Sequence, residues 1–237
     1  KTRCYNLSME NKVKYNCIES LRKVGDPIII VGAVHESETV ANACLDNGIT
    51  VEAFCDSEIR KSEELFCGLE VIHTPTLPQR YPKARFIIAS QHIRDCEEQL
   101  TGLGYSEFYS ILDLLKNYDI KKHQHRISQS YMSSRLEVCK KSHEFYFDED
   151  KVYMRSLDVM ITTKCSLKCK DCSNLMQYYV EPKHTEHEQI LSALNILNEN
   201  VDYISEFRVI GGEPLMNKDW ADIVDRISKK NAEAKIF

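Results

Sequence analysis

The chain has 237 residues, enough for two small domains or one large one, and its hydrophobic share of 43% is ordinary for a folded protein. Its formal net charge of -5 argues against non-specific nucleic-acid binding. The sequence has no polybasic block and no apolar run of about 18 residues, which argues against membrane association. The first residues, KTRCYNLSMENK, contain no apolar signal-peptide core. We therefore expect a soluble, cytoplasmic protein.

The first alternation of elements follows Pro27, which precedes the apolar run Ile28–Val31, a predicted strand. A helix follows and is closed by Asn47-Gly48, and Ile49–Cys55 is the next predicted strand. The pattern continues through LEVIHTP, ARFIIAS, a helix around Ile93–Leu103 and EFYSI. Residues 25–116 are therefore predicted to form a parallel sheet flanked by helices.

The first strand-to-helix turn, GAVHES, has Gly32 but lacks the two later glycines of a dinucleotide-binding turn. Glu36 and Glu38 place negative charge where a pyrophosphate would approach the helix, which argues against NAD binding. Asp56 lies at a ribose-binding position or caps the next segment, and both interpretations stay open. The layout from Ile28 to Leu115 is similar to Rossmann-like domains of some sugar-nucleotide acyltransferases, so a sugar nucleotide is the ligand hypothesis.

From about Tyr118 the sequence turns polar and basic, without Gly or Pro, and we interpret residues 118–150 as a partly helical connecting segment between two domains that ends in a hairpin. The hairpin is predicted for EFYFDEDKVYMR, with the acidic residues at its turn. His123, His125 and His143 are interpreted as solvated linker histidines, because no further ligands lie near them in the sequence.

The ten cysteines are mostly dispersed, which indicates free thiols in a reducing compartment and no disulfide framework. Free cysteine behaves as a small hydrophobe, and the surrounding sequence predicts five buried thiols: Cys17, Cys44, Cys55, Cys67 and Cys96. Cys4 and Cys139 fit no clear environment.

A second alternation begins with the predicted strand SLDVMITT, which runs directly into a cysteine-rich loop. Thr185 is predicted to cap the following helix, with Glu188 returning the bond. Strand EFRVI, the turn GGEP, a helix over residues 219–230 and a further strand at AKIF complete the sequence.

The loop carries Cys165, Cys169 and Cys172, three thiols within eight residues. Such spacing lets three sulfurs bind one cubane cluster and leaves one iron without a protein ligand. The alternative is a tetrahedral zinc site in which His184 supplies the fourth ligand. Gly211-Gly212, one β/α unit later, would let the backbone come close to a bound polar ligand.

These two motifs and their placement resemble the radical S-adenosylmethionine (radical SAM) superfamily over about Leu157–Phe237. The resemblance implies a partial (β/α) barrel in which Cys165, Cys169 and Cys172 hold a [4Fe-4S] cluster. It also implies that SAM binds the open iron, that its amine meets the strand end formed by Gly211, Gly212, Glu213 and Pro214, and that cleaved SAM abstracts hydrogen from a substrate. The sequence departs from the family at Asp171, where an aromatic residue commonly lies near the adenine.

We therefore expect an α/β protein with three parts: a Rossmann-like domain (1–117), a linker and hairpin (118–150), and the amino-terminal part of a radical SAM domain (151–237). The later barrel strands are missing, so we expect a fragment that is inactive alone. An external electron donor, a carbohydrate-related substrate and a homo-oligomer formed through the exposed barrel edge are the expected partners. The competing hypothesis is a non-catalytic sugar-nucleotide or partner-binding module with a vestigial metal-binding segment.

Overall fold

A computed structural model describes residues 12–148 and 150–237, and it divides the chain into two units with the boundary after Asp148. Each unit has its own buried core. Cys4, which the sequence left unplaced, lies outside the described residues. None of the helices in the described part of the chain has both the length and the apolar composition needed to cross a bilayer.

The first unit is built on a seven-stranded sheet in the order β1-β7-β6-β2-β3-β5-β4, and only the β4–β5 pairing is antiparallel. The central strands are continuous apolar runs because both faces of a parallel sheet are buried. The strands are β1 Val13–Lys14, β2 Ile28–Val31, β3 Ala53–Asp56, β4 Leu65–Phe66, β5 Leu69–His73, β6 Arg85–Ile88 and β7 Phe108–Ser110.

Helices cover both faces of this sheet, so alternate residues of one strand enter different cores. Ile28 and Ile30 of β2 pack into one buried cluster, whereas Ile29 and Val31 pack into the other. The helices are α1 Ile18–Arg22, α2 His35–Asp46, α3 Leu77–Arg80, α4 Ile93–Gly102, α5 Leu112–Leu115 and α6 Gln129–Phe147. The predicted parallel α/β sheet is therefore present, with β3 shorter than predicted.

The predicted hairpin is wrong, and the segment predicted to be a partly helical connection is part of the first unit, because residues 129–147 form its long helix α6. One stripe of this helix is buried, and it contains Met132, Leu136, Cys139, His143 and Tyr146. These residues have the spacing of one helix face. Because Cys139 and His143 interrupt the apolar pattern of that face, the segment was interpreted from its sequence as a polar connection. The helix continues to Phe147, which leaves no first strand for the predicted hairpin.

The second unit contains three parallel strands in the order β10-β9-β8. They are β8 Tyr153–Thr162, β9 Tyr203–Gly211 and β10 Lys235–Ile236, connected by α7 His187–Asn200 and α8 Trp220–Lys230. Ile190 and Leu194 of α7 and Ile223 and Ile227 of α8 share a core with Phe207 of β9. Closure of these strands into a partial barrel stays a prediction.

Candidate functional site

The cysteine-rich loop, residues 163–183, connects β8 to α7 and is clamped where it leaves and rejoins the sheet. The Thr163 N–H donates to the Lys183 carbonyl at 2.8 Å, and the Lys183 N–H donates back to Thr163 Oγ1 at 2.9 Å. Thr185 N–H binds the Ile161 carbonyl at 3.0 Å, and its hydroxyl binds the Met160 carbonyl. Thr185 is thus part of the clamp and is not the predicted cap of α7, whose N-cap is Glu186.

The three thiols of this loop are free; Cys165 and Cys172 are half-buried and Cys169 is exposed. Cys165 Sγ accepts a hydrogen bond from the Leu167 N–H at 3.4 Å. The backbone N–H of Met176, aided by those of Asn174 and Leu175, lowers the pKa of the Cys172 thiol. Donors aimed at sulfur stabilise the thiolate, which is the form that ligates iron. The donor set therefore fits an iron–sulfur cluster.

The zinc alternative requires His184 to join the three thiols around one ion. In residues 12–148 and 150–237, no group of three or more His, Cys, Asp or Glu side chains is placed to hold one ion. His184, the fourth ligand of the zinc alternative, pairs its Nδ1 with Thr162 Oγ1 at 2.9 Å. Zinc needs its ligands to converge on one point, whereas the thiolates of a cubane bind different irons. In this structure the fourth ligand that the zinc alternative requires is engaged with Thr162.

The Gly211-Gly212 turn packs directly against the start of the cysteine-rich loop. A Cβ on Gly211 would lie 2.2 Å from the Thr162 carbonyl oxygen, and one on Gly212 would lie 2.2 Å from that of Lys164. The Gly212 N–H donates to Thr162 at 3.0 Å, and the Glu213 N–H donates to Lys164 at 2.9 Å. The space that only glycine leaves open is thus occupied by the loop backbone.

Side chains add three more links around this turn, none of which the sequence had identified. Glu213 Oε2 accepts hydrogen bonds from Ser166 Oγ at 2.6 Å and from the Ser166 N–H at 3.3 Å. Asn174 Nδ2 donates to the Gly211 carbonyl at 3.3 Å, and buried Asn217 donates to the Ile161 carbonyl at 2.8 Å. Pro214 opens a short 3-10 helix, Pro214–Met216. The predicted cofactor-binding turn and the predicted metal-binding loop therefore form one structure.

In the first unit, the Gly32 turn is closed by Asp56. Asp56 Oδ2 accepts from the Ala33 N–H at 2.8 Å and from Lys61 Nζ at 2.9 Å, and Oδ1 accepts from the Glu58 N–H at 2.9 Å. Burial raises its pKa, but these donors outweigh that effect and lower it. Both carboxylate oxygens already accept hydrogen bonds from the turn and from Lys61, which favours the capping role over ribose binding.

Helix α6 lies across the carboxyl ends of β2, β6 and β7. The order of the strands reverses between β2 and β6, which is where open α/β sheets bind ligands. At the end of β6, Cys139 Sγ meets the Ala89 carbonyl at 3.7 Å and His143 Nε2 meets the Ser90 carbonyl at 3.1 Å. Beyond β2, Arg135 pairs with Glu36 at the start of α2 at 2.9 Å. The chain's own side chains therefore occupy this crevice.

The remaining histidine and cysteine predictions have mixed outcomes. His143 is fully buried and His123 pairs with Asp46 Oδ1 at 3.1 Å, so neither is the solvated linker residue that was predicted. His125 Nε2 binds the Ile120 carbonyl at 2.9 Å. The cysteines Cys17, Cys44 and Cys55 are buried as predicted, Cys96 is half-buried, Cys67 is exposed and Cys139 is buried.

Known proteins resemble part of this chain. The model of a family described as a 4Fe-4S single cluster domain matches residues 154–237. Two probable GTP 3',8-cyclases from two strains of Methanococcus maripaludis are 33% and 31% identical over 86 and 78 residues, 35% and 31% of this chain. Together these matches support the radical SAM superfamily for the part of the chain that they cover. The family match supports an iron–sulfur function for residues 154–237, in line with the prediction from the cysteine spacing.

The matched relatives are much longer proteins than the part of the chain that they match. The chain spans about a quarter of their length, 26% and 24%. Among solved structures, the methyltransferase FkbM from Methylobacillus flagellatus aligns with 98% of this chain and 68% of its own, at 10% identity and a TM-score of 0.36. The Rossmann-like assignment of the first unit stays a prediction.

Proposed function

We propose that this chain is part of a radical SAM enzyme that acts on a carbohydrate-related substrate. In this proposal Cys165, Cys169 and Cys172 hold a [4Fe-4S] cluster, and the turn from Gly211 to Pro214 binds the SAM amine. When bound, the cluster and SAM supply one-electron chemistry that removes a hydrogen atom from the substrate. The carbohydrate-related substrate rests on the layout of residues 28–115 alone.

The observation that carries the proposal is the direct attachment of the glycine turn to the cysteine-rich loop. Two backbone hydrogen bonds, from Gly212 to Thr162 and from Glu213 to Lys164, fix the residues just before Cys165. Residues that bind a cofactor must be held within a fraction of an ångström to orient it. The protein's contribution is this rigid support together with the backbone donors at Cys165 and Cys172.

The alternative, a nucleotide-binding module without redox chemistry, has weaker support. Its natural site would be the crevice between β2 and β6, and α6 occupies that crevice through Cys139 and His143. A nucleotide could enter only if this helix moved away from the strand ends. The enzyme proposal requires no such displacement.

The test of the cluster is anaerobic reconstitution followed by iron, sulfide and zinc analysis. We expect about four irons and four sulfides per chain, with the visible absorption of an iron–sulfur protein. Replacing any one of Cys165, Cys169 or Cys172 by alanine should remove most of the iron. Cys67→Ala is the matched control because Cys67 is also an exposed thiol but lies in the first unit. Stoichiometric zinc without iron, or full iron in all three variants, would contradict the proposal.

A further inference from the structure

Ser166 lies in the sequence between Cys165 and Cys169, two of the proposed cluster ligands. Its hydrogen-bond partner is Glu213, in the turn that follows Gly211-Gly212. We propose that Ser166 is a positioning residue that orients the Glu213 carboxylate toward a cationic amine, which is the group that SAM would present. This inference rests on the proposed function, because it assigns a task to Ser166 within the same site.

Both of the Ser166 hydrogen bonds go to the same carboxylate oxygen. Oε2 of Glu213 accepts from the hydroxyl at 2.6 Å and from the backbone N–H at 3.3 Å. Within the described residues, no other donor reaches this carboxylate, so Oε1 keeps its full capacity to accept a hydrogen bond. The arrangement fixes one oxygen and leaves the second for a ligand.

The backbone of Glu213 is anchored to the same segment, because its N–H donates to the Lys164 carbonyl at 2.9 Å. Glutamate has several rotatable bonds, and holding such a side chain in one conformation costs entropy on binding. The hydrogen bonds from Ser166 hold the Glu213 side chain in one conformation before the ligand binds. A preoriented carboxylate forms a charge-assisted bond with an ammonium group at a lower cost.

A purely structural role for the pair would have a different consequence. If the Ser166–Glu213 bond only fastened the cysteine-rich loop, its loss would loosen Cys165 and reduce iron binding. The loop has other fastenings, including the Gly212–Thr162 bond and the clamp between Thr163 and Lys183. We therefore expect the hydroxyl to be dispensable for the cluster and necessary for tight SAM binding.

The experiment measures iron content and SAM affinity in the anaerobically reconstituted protein. The variants are Ser166→Ala, Ser166→Thr and Glu213→Gln, with Ser192→Ala on the exposed surface of α7 as the matched control. Equilibrium dialysis gives the Kd for SAM, and electron paramagnetic resonance of the reduced cluster reports whether SAM alters its spectrum. Neither measurement requires turnover.

We expect Ser166→Ala to keep its iron and to weaken SAM binding about tenfold, as the loss of one hydrogen bond to a charged group would. Ser166→Thr, which keeps the hydroxyl, should restore most of the affinity. Adding Ser166→Ala to Glu213→Gln should have little further effect, because the serine acts through the glutamate. Together these results would support the inference.

Two results would overturn the inference alone: unchanged SAM affinity in Ser166→Ala, or loss of iron from Ser166→Ala with Ser192→Ala intact. The second would show that the bond holds the loop and not the carboxylate. Wild-type protein that takes up about four irons but does not bind SAM would overturn the proposed function and this inference together.

Discussion

The two units use the carboxyl ends of their parallel strands in opposite ways. In the first unit α6 covers the ends of β2, β6 and β7, and Glu36 and His143 are buried there and paired within the chain. In the second unit the end of β8 continues into a loop whose Cys169 is exposed. The first edge is thus covered by the chain's own side chains, whereas the second presents groups that can take a ligand.

The two edges also depend on glycine for different reasons. Gly32 has a φ of +94°, and a Cβ there would touch nothing closer than 3.6 Å, so the turn needs its backbone conformation. Gly212 has no such φ, but a Cβ would collide with backbone atoms of Lys164. The first turn requires glycine for its backbone conformation, whereas the second requires glycine because the loop backbone packs against it.

The largest expected effect comes from breaking this close packing. Gly212→Ala would force the Lys164 carbonyl, 2.2 Å from the new Cβ, to move with the start of the cysteine-rich loop. We expect the second unit to lose about 4 kcal/mol of stability and most of its iron, because backbone atoms cannot rotate aside as a side chain can. Thermal unfolding and iron analysis measure both losses.

Gly102→Ala is the matched control for this substitution. Gly102 ends α4, and nothing lies within 4 Å of the position that its Cβ would occupy. Alanine there should change stability by less than about 1 kcal/mol, in the stabilising direction if any. A Gly212→Ala variant as stable and as iron-rich as Gly102→Ala would show that the turn does not support the loop.

The next effect concerns pH and the buried edge of the first unit. Desolvation lowers the pKa of His143 from 6.5 to about 4. Because the Ser90 carbonyl can only accept, Nε2 carries the proton and Nδ1 accepts from the Ser110 hydroxyl, so the neutral ring satisfies both nitrogens. The unfolded chain binds a proton below pH 6.5 and the folded chain does not, so stability falls as the pH decreases toward 4.

This linkage amounts to about 3 kcal/mol between neutral pH and pH 4. Urea unfolding of the first unit at pH 7.5, 6 and 5 measures it, and His143→Gln provides the comparison because glutamine does not titrate. We expect the variant to lose less stability than the wild type over this interval, whatever its stability at pH 7.5. Equal pH dependence in the two proteins would refute a neutral, buried His143.

The sequence predicted the elements that continuous apolar runs define. Strand β2 has the predicted bounds, since Pro27 precedes the run and Gly32 follows it, and α2 ends where Asn47 was predicted to close it. It missed the length of α6 and its buried stripe, which includes His143, and it missed β1, a strand of two residues. Strand β1 is defined by its pairing with β7, about 95 positions away, which local patterns do not reveal.

The candidate site shows the same limit. Cysteine spacing and the glycine pair identified the two motifs, but their roles in binding stay predictions. The bond between Ser166 and Glu213 joins residues 47 positions apart. No local pattern marks a serine as the partner of a distant carboxylate, and only the fold of the chain brings the two together.

A smaller effect is expected from the ion pair that covers α2. The Glu36 side chain is 3% exposed and Arg135 is 30% exposed, so Arg135→Gln would leave a nearly buried carboxylate without its partner. We expect a loss of about 2 kcal/mol in urea unfolding, less than for a fully buried pair because Arg135 contacts water. Lys14→Gln, which breaks the exposed pair with Glu107, should cost less than about 1 kcal/mol. Equal losses would remove the distinction between the two pairs.

The smallest expected effect concerns NAD, for which we expect no measurable binding to the first unit. The Gly32 turn lacks the later glycines of a dinucleotide site, Glu36 and Glu38 occupy the start of α2, and α6 fills the crevice through Cys139. Binding would require the helix to leave the strand ends and expose its buried stripe, so we expect a Kd weaker than about 1 mM. Isothermal titration calorimetry with NAD, and with a sugar nucleotide in parallel, measures it. Micromolar binding of either ligand that is abolished by Gly32→Val would place a nucleotide at this edge and show that α6 is a movable cover over a site.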